Sequence, residues 1–378
     1  MKINRISVFH RNLPLTHPYW LSGKQLRFDR LDATFVKLET EDGATGWGEG
    51  TPWGHSYVPA HGPGIRAGLE TLATAILGQD PRQVGIVEQA MDQCLPGHLY
   101  AKAPVDMACW DIAGQSAGLS IADMLGGRHP NGTAVASSVS SGTVDDVIAE
   151  IERFRSMGYV SHSVKIGNGV AEDIACIRAV RSIRQAGEWF LFDVNRAWSR
   201  RQAVQVMTAI AEPDIAIEQP CESLDDIAAI RPLTTVPISV DESLVTLQDA
   251  ARIARDGIAE IFGIKLNRVG GLSKAARIRD VALAHGIDCT IMATGGTVLA
   301  DAEAAHLAQT IPARHRLSVW ACQDMITVDP APGRGPRNAN GYLTVSDAPG
   351  LGFAPDEEHL GEPVAVYERV STKGKVRR

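Results

Sequence analysis

Several things are missing from this sequence, and each absence removes a class of explanation. The six cysteines, Cys94, Cys109, Cys176, Cys221, Cys289 and Cys322, are scattered and form no C-x-x-C pair. A thiolate metal site is therefore not expected, and reduced core cysteines fit a cytosolic protein. No apolar run is long enough for a transmembrane helix, and the opening MKINRISVFH has no apolar leader core. The expectation is a cytoplasmic protein with no membrane partner. A Lys/Arg stripe is lacking too, and the formal net charge is −7, which argues against a nucleic-acid partner. The one basic run, KGKVRR at residues 373–378, reads as a solvated, frayed tail.

What is present is a repeated pattern. Five apolar runs end in a single ionisable residue followed by a turn or helix signal: SVKIG, FDVN, IEQP, SVDE and IKLN, carrying Lys165, Asp193, Glu218, Asp241 and Lys265. These five residues are 28, 25, 23 and 24 positions apart. One strand-plus-helix unit of a parallel barrel takes about thirty residues, so each gap holds one unit. Residues at the C-terminal ends of barrel strands point into a shared mouth. Three carboxylates meeting there make an all-oxygen site suited to Mg²⁺, and no histidine stands at a matching strand end to favour zinc. Lys165 and Lys265 end strands two and six of eight, on opposite walls. A nearby cation and desolvation both disfavour an ammonium, so either amine can serve as a base.

The rest of the chain frames this barrel. Residues 1 to about 50 alternate as antiparallel strands, with a turn at Glu41-Asp42-Gly43, and residues 65–127 turn helical. The fold class predicted is α/β: a (β/α)7β barrel over residues 131–329 with an α+β capping domain. The cap comprises residues 1–130 and a C-terminal return, 330–378, in which GYLTV and PGLGFAPD read as strand pieces able to rejoin the N-terminal sheet. The first barrel strand is placed at residues 134–139. The loop TPWGHSYVPAHGPG, residues 51–64, carries Trp53 and Tyr57, and an earlier loop carries Trp20. Gly270-Gly271 and Gly295-Gly296 read as tight turns before helices, although phosphate loops use similar pairs.

The constellation resembles the enolase superfamily, in its mandelate racemase/muconate-lactonizing-enzyme subgroup. The matching pieces are Ser163-Val164-Lys165, Asp193-Val194-Asn195, Glu218-Gln219-Pro220, Asp241-Glu242-Ser243 and Lys265-Leu266-Asn267, with GWGE, ACWDIAG, LGG and PGLG elsewhere. The resemblance implies one Mg²⁺ held by Asp193, Glu218 and Asp241, and Lys165 and Lys265 as acid/base groups. Asn195, Glu242 and Asn267 would stand beside the ligands. A substrate carboxylate would bind the metal, lose its α-proton and pass through an ene-diolate. A homo-oligomer is implied as well. Two departures stand out: Ser163 replaces the first lysine of the usual K-x-K pair, and the seventh strand end, CTIMATGG, lacks both the acid of amino-acid epimerases and the histidine of the mandelate-racemase branch. His285 lies upstream and reads as structural.

Trp320 ends strand eight, and with Trp20, Trp53 and Tyr57 on capping loops it outlines an aromatic cage for a cationic substrate. This is similar to the members that epimerise hydroxyproline betaines. The reading is a Mg²⁺-dependent racemase or epimerase of a proline-, hydroxyproline- or betaine-like carboxylate, the substrate being its only partner besides other copies of the chain. The alternatives are a dehydratase of a hydroxyproline such as cis-3-hydroxy-L-proline, a muconate-type cycloisomerase, and a catalytically silent barrel that binds a small cation.

Overall fold

The computed structural model describes residues 1–211, 214–369 and 376–377. Two long antiparallel strands open the chain, β1 (Ile3–Leu21) and β2 (Leu26–Thr40), joined through a turn in which Ser22, Gly23 and Lys24 all have positive φ. Strand β3 (Thr45–Gly50) pairs with β2 to extend the sheet. Three helices follow, α1 (Gly62–Ile76), α2 (Val84–Cys94) and α3 (Leu99–Ala117), then the short α4 (Ile121–Met124). Helix α3 is buried on nearly every side. It lies so close to β3 that a Cβ on Gly48 would stand 2.0 Å from the Pro104 carbonyl oxygen. Only glycine permits that approach.

A two-residue strand β4 (Thr133–Ala134) precedes the barrel. Its eight parallel strands are β5 (Ala136–Val139), β6 (Ser161–Lys165), β7 (Trp189–Asp193), β8 (Ala216–Glu218), β9 (Ile238–Val240), β10 (Ile261–Lys265), β11 (Asp288–Met292) and β12 (Arg316–Trp320). They neighbour one another in chain order, and a parallel bridge from Val135 to Val319 brings the last strand round to the first. Between them run α5 (Val144–Ser156), α6 (Val170–Ser182), α7 (Arg200–Ile210), α8 (Leu224–Ile230), α9 (Leu247–Asp256), the single turn α10 (Leu266–Val269), α11 (Leu272–Ala284) and α12 (Val298–Ala308). Thr143, Ser199 and Thr246 start α5, α7 and α9 with reciprocal caps to the third helical residue, which fixes where each loop stops and each helix begins. His285 caps the C-terminus of α11. Gly270 ends the α10 turn, and Gly271 precedes α11.

The C-terminal return differs from expectation. Within GYLTV only β13 (Tyr342–Leu343) is extended, and it pairs with β4 rather than with the N-terminal sheet. PGLGFAPD is turn and loop leading to the short α13 (Glu357–Leu360). The segment that rejoins β1 is β14 (Ala365–Arg369), whose Glu368 and Arg369 pair with β15 (Val376–Arg377). The rest of the basic run at 373–378 lies outside the described residues. The barrel also begins two residues later than expected, because Val135 breaks 134–139 into β4 and β5. Among the described residues, no helix is long and apolar enough to cross a membrane.

Candidate active site

Every barrel strand from β6 to β10 delivers one charged side chain to the C-terminal mouth. Lys165, Asp193, Glu218 and Lys265 are the last residues of β6, β7, β8 and β10, and Asp241 follows β9 directly. Register places them: Lys165 lies beside Asp193, and Asp193 beside Glu218. Alternation along β10 buries Phe262 and Ile264 while turning Gly263 and Lys265 inward. A side chain at 263 would meet Met292 Cε at 2.7 Å and Glu218 Oε1 at 3.2 Å, so glycine there leaves the barrel centre to those groups.

The acids and amines are interlocked. Lys165 Nζ donates to Asp193 Oδ2, and Lys265 Nζ to Asp241 Oδ2 at 2.5 Å. Arg268 Nη1 holds the other Asp241 oxygen at 2.5 Å while donating to the Gly263 and Leu244 carbonyls. Burial opposes charge on Lys165, but Asp193, Tyr19 and Glu218 outweigh it and hold the ammonium above its usual value. Burial also works against Asp241, yet Arg268 and Lys265 hold its carboxyl well below the usual range. Glu218 is the exception: burial first, then Asp193 and Asp241, push its carboxyl far up, and its Oε1 is buried with no partner.

Among the described residues, no three His, Cys, Asp or Glu side chains form a ready-made ligand cluster. The reason is visible in the pairing: Asp193 and Asp241 are turned onto lysines. The donor set nevertheless has the chemistry for a hard cation, since three adjacent strand ends each carry a carboxylate and Glu218 Oε1 is unsatisfied. A cation on Glu218 would have to draw Asp193 and Asp241 off their amines.

Around this core, Asn195 donates from its backbone to Asp193 Oδ1 at 2.8 Å and from its side chain to Asp193 Oδ2 at 3.0 Å and Glu242 Oε1 at 3.3 Å. Glu242 is pushed up to about 7 by burial and by Asp241 and Asp193. Asn267, 1% exposed, leaves both side-chain atoms without partners. Asn195 and Gln219, just past β7 and β8, have φ of 46° and 40°, strained positions of the kind found where a site over-determines its backbone. Gln219, to which the sequence motif Glu218-Gln219-Pro220 assigns no role, accepts from the Asp241 and Ser243 amides at 3.1 Å each and so fixes the end of β9.

The capping loops close the mouth. The space beneath them is about 40 Å³, and Tyr19, Trp53, Tyr57, Met292 and Trp320 are among its walls, with Ser163 and Lys165. Tyr57 Oη donates to Glu242 Oε1 at 2.9 Å and accepts from Lys265 at 3.3 Å. The Trp53 ring stands edge-on to Trp320 at 5.7 Å and to Tyr19 at 5.3 Å. Trp53, Tyr57 and Trp320 thus line the same space. Trp20 does not: its ring lies under the Arg27 guanidinium at 5.6 Å, and its neighbour Tyr19 faces the site instead.

The chain matches two family descriptions, "Mandelate racemase / muconate lactonizing enzyme, N-terminal domain" over residues 4–126 and "Enolase C-terminal domain-like" over residues 146–359. It is 36% identical to the cis-3-hydroxy-L-proline dehydratase of Roseibium aggregatum, over 97% of this chain and 100% of that protein. A crystal structure of a mandelate racemase/muconate lactonizing enzyme from Silicibacter pomeroyi is 63% identical, with a TM-score of 0.93 over 98% of this chain and 100% of that one. An enolase-superfamily member from Roseovarius nubinhibens complexed with magnesium is 47% identical, with a TM-score of 0.94 over 97% and 100%.

Proposed function

Because the chain belongs to the mandelate racemase/muconate lactonizing enzyme family of the enolase superfamily, we propose that it moves the α-proton of a compact proline-type carboxylate. Proline, a hydroxyproline or their betaines are the class meant. The observation that carries this reading is the pair of amines: Lys165 and Lys265 line one chamber from strands four places apart in the barrel.

Asp193, Glu218 and Asp241 would hold a magnesium ion. When bound, it takes the substrate carboxylate and stabilises the charge that α-proton loss creates. Were Asp193 to turn onto that ion, Lys165 would lose the carboxylate that holds its ammonium above the usual value and would be free to act as a base. Lys165 then takes the α-proton on one face, and Lys265, as the ammonium, returns one on the other. Tyr57 Oη, 3.3 Å from Lys265 Nζ, holds that amine toward the chamber. Trp53 and Trp320 exclude water and offer ring faces to a substrate ammonium.

With Mg²⁺ present, solvent deuterium should enter the α-position of both enantiomers. Lys165→Ala should slow exchange from one enantiomer by about 10³-fold and Lys265→Ala from the other, the usual scale for a lost acid/base group. Absence of exchange from either enantiomer in the wild type would sink the reading. A second outcome of the same abstraction, loss of a β-hydroxyl from a hydroxyproline, is favoured by the relative from Roseibium aggregatum. Mass spectrometry of the product for loss of one water separates the two.

A further inference from the structure

We infer that Arg196 is a positioning residue for the Lys265 side of the chamber: it tethers Tyr57 from outside, and Tyr57 in turn holds the Lys265 amine. The inference rests on the proton-transfer reading above and adds to it a residue that does not touch the substrate.

The backbone gives the first reason. Asn195 and Arg196, directly after β7, are both left-handed, with φ of 46° and 69°. Asparagine tolerates that region, but arginine is strained there and glycine would take the position freely. The Arg196 amide donates to the Gln219 carbonyl at 2.9 Å, a bond that glycine would make equally well. What glycine could not supply is the side chain, so the strain points to what the guanidinium does.

That guanidinium reaches into the cap. Arg196 Nη2 donates to the Tyr57 carbonyl at 3.2 Å, and its Cζ lies 5.5 Å from the centroid of the Tyr57 ring. One group thus holds the tyrosine by its main chain and, as a cation against the ring, by its side chain. The bond to the carbonyl involves none of the acids of the mouth, so it does not depend on which way they turn. The same turn of the barrel holds the other capping loop, since Ser22 Oγ donates to the Asn195 carbonyl at 3.1 Å.

Packing alone does not fix this part of the cap. Residues 57–61 all border a second cavity of about 580 Å³, which Arg196 also lines. Tyr57 borders the chamber as well. With space on two sides, the tyrosine needs a tether, and Arg196 is placed to be one.

The test uses full-length, Mg²⁺-loaded protein with Arg196→Gly, which suits the backbone and deletes only the side chain. Because glycine relieves the left-handed strain, the Tm should not fall. α-Proton exchange from the enantiomer served by Lys265 should slow about tenfold in kcat, the scale of one lost hydrogen bond. Exchange from the enantiomer served by Lys165 should stay close to wild type. Adding Arg196→Gly to Tyr57→Phe should slow the first enantiomer no further than Tyr57→Phe does alone, since both act through one hydroxyl. Unchanged exchange, equal slowing of both enantiomers, or losses that multiply in the double variant would overturn the assignment. A Tm well below wild type would overturn it too, because the side chain would then be holding the fold rather than the tyrosine. Any of these in a protein whose wild type exchanges both enantiomers leaves the proposed function standing. Wild-type protein that exchanges neither overturns the proposed function, and the role of Arg196 with it.

Discussion

Tyr57 is the point where the cap touches the chemistry, since one phenolic oxygen reaches Lys265, Asp241 and Glu242 at 3.3, 3.3 and 2.9 Å. Tyr57→Phe removes a buried hydroxyl and leaves a Glu242 oxygen short of a donor, at a cost of about 1–3 kcal/mol. The expected result is a fall of a few degrees in Tm by differential scanning fluorimetry. Exchange from the enantiomer served by Lys265 should slow more than exchange from the other; equal slowing would count against a positioning role. The charged residues of this site were legible in the sequence because each follows an apolar run, and strand ends are where runs stop. The aromatic walls were less legible. Trp20 was expected in the chamber, and Tyr19 was passed over, because adjacent residues of a strand face opposite ways. Which one faces inward depends on the irregularity in the β1–β2 register between Pro14 and Tyr19, and nothing in the local sequence states it.

At the scale of elements, β3 and α3 are set by backbone contact rather than side-chain interdigitation. Gly46 faces the Ala108 carbonyl and Gly48 that of Pro104, with 2.2 and 2.0 Å left for a Cβ. Gly48→Ala should therefore push β3 off α3, with a loss of about 1–3 kcal/mol, the usual cost of overpacking. Urea unfolding would read it as a lower midpoint at unchanged slope; a midpoint equal to wild type would mean the contact yields freely. The barrel strands and most helices could be read from period and caps. The C-terminal return could not, because GYLTV and AVYER alternate alike and only long-range pairing decides between them. Asp111 takes part in that decision, accepting from Trp47 N at 3.1 Å and Leu351 N at 2.9 Å and so tying the return to α3 and β3.

Across the whole molecule, cap and barrel meet through buried acids. Glu49 from β3 accepts from the Thr297 and Ala300 amides at the start of α12, and Asp106 from α3 accepts from Ser273 on α11. Glu303, on α12, is wholly buried with neither oxygen partnered, and burial followed by Glu49 pushes its carboxyl well up. Burial likewise raises Asp106 to about 7, Asp111 to about 6 and Asp301 to about 8. In the unfolded chain such acids ionise near pH 4. Between that pH and the folded values, the folded protein keeps protons that the unfolded chain has released. Stability from these groups is therefore fully present below about pH 4 and falls as pH rises, by about 1.4 kcal/mol per pH unit for each group still protonated in the fold. His162 and His306, lowered to about 4 by burial, act oppositely and lose stability as pH drops from about 6.5. The Tm should accordingly peak at mildly acidic pH and decline toward pH 8. Glu303→Gln cannot ionise in either state, so its Tm relative to wild type should climb steadily from pH 5 to pH 8. A difference that stays constant across that range would mean that Glu303 does not carry its proton into the fold, and the acid junction would lose its role as the pH-sensitive seam between cap and barrel.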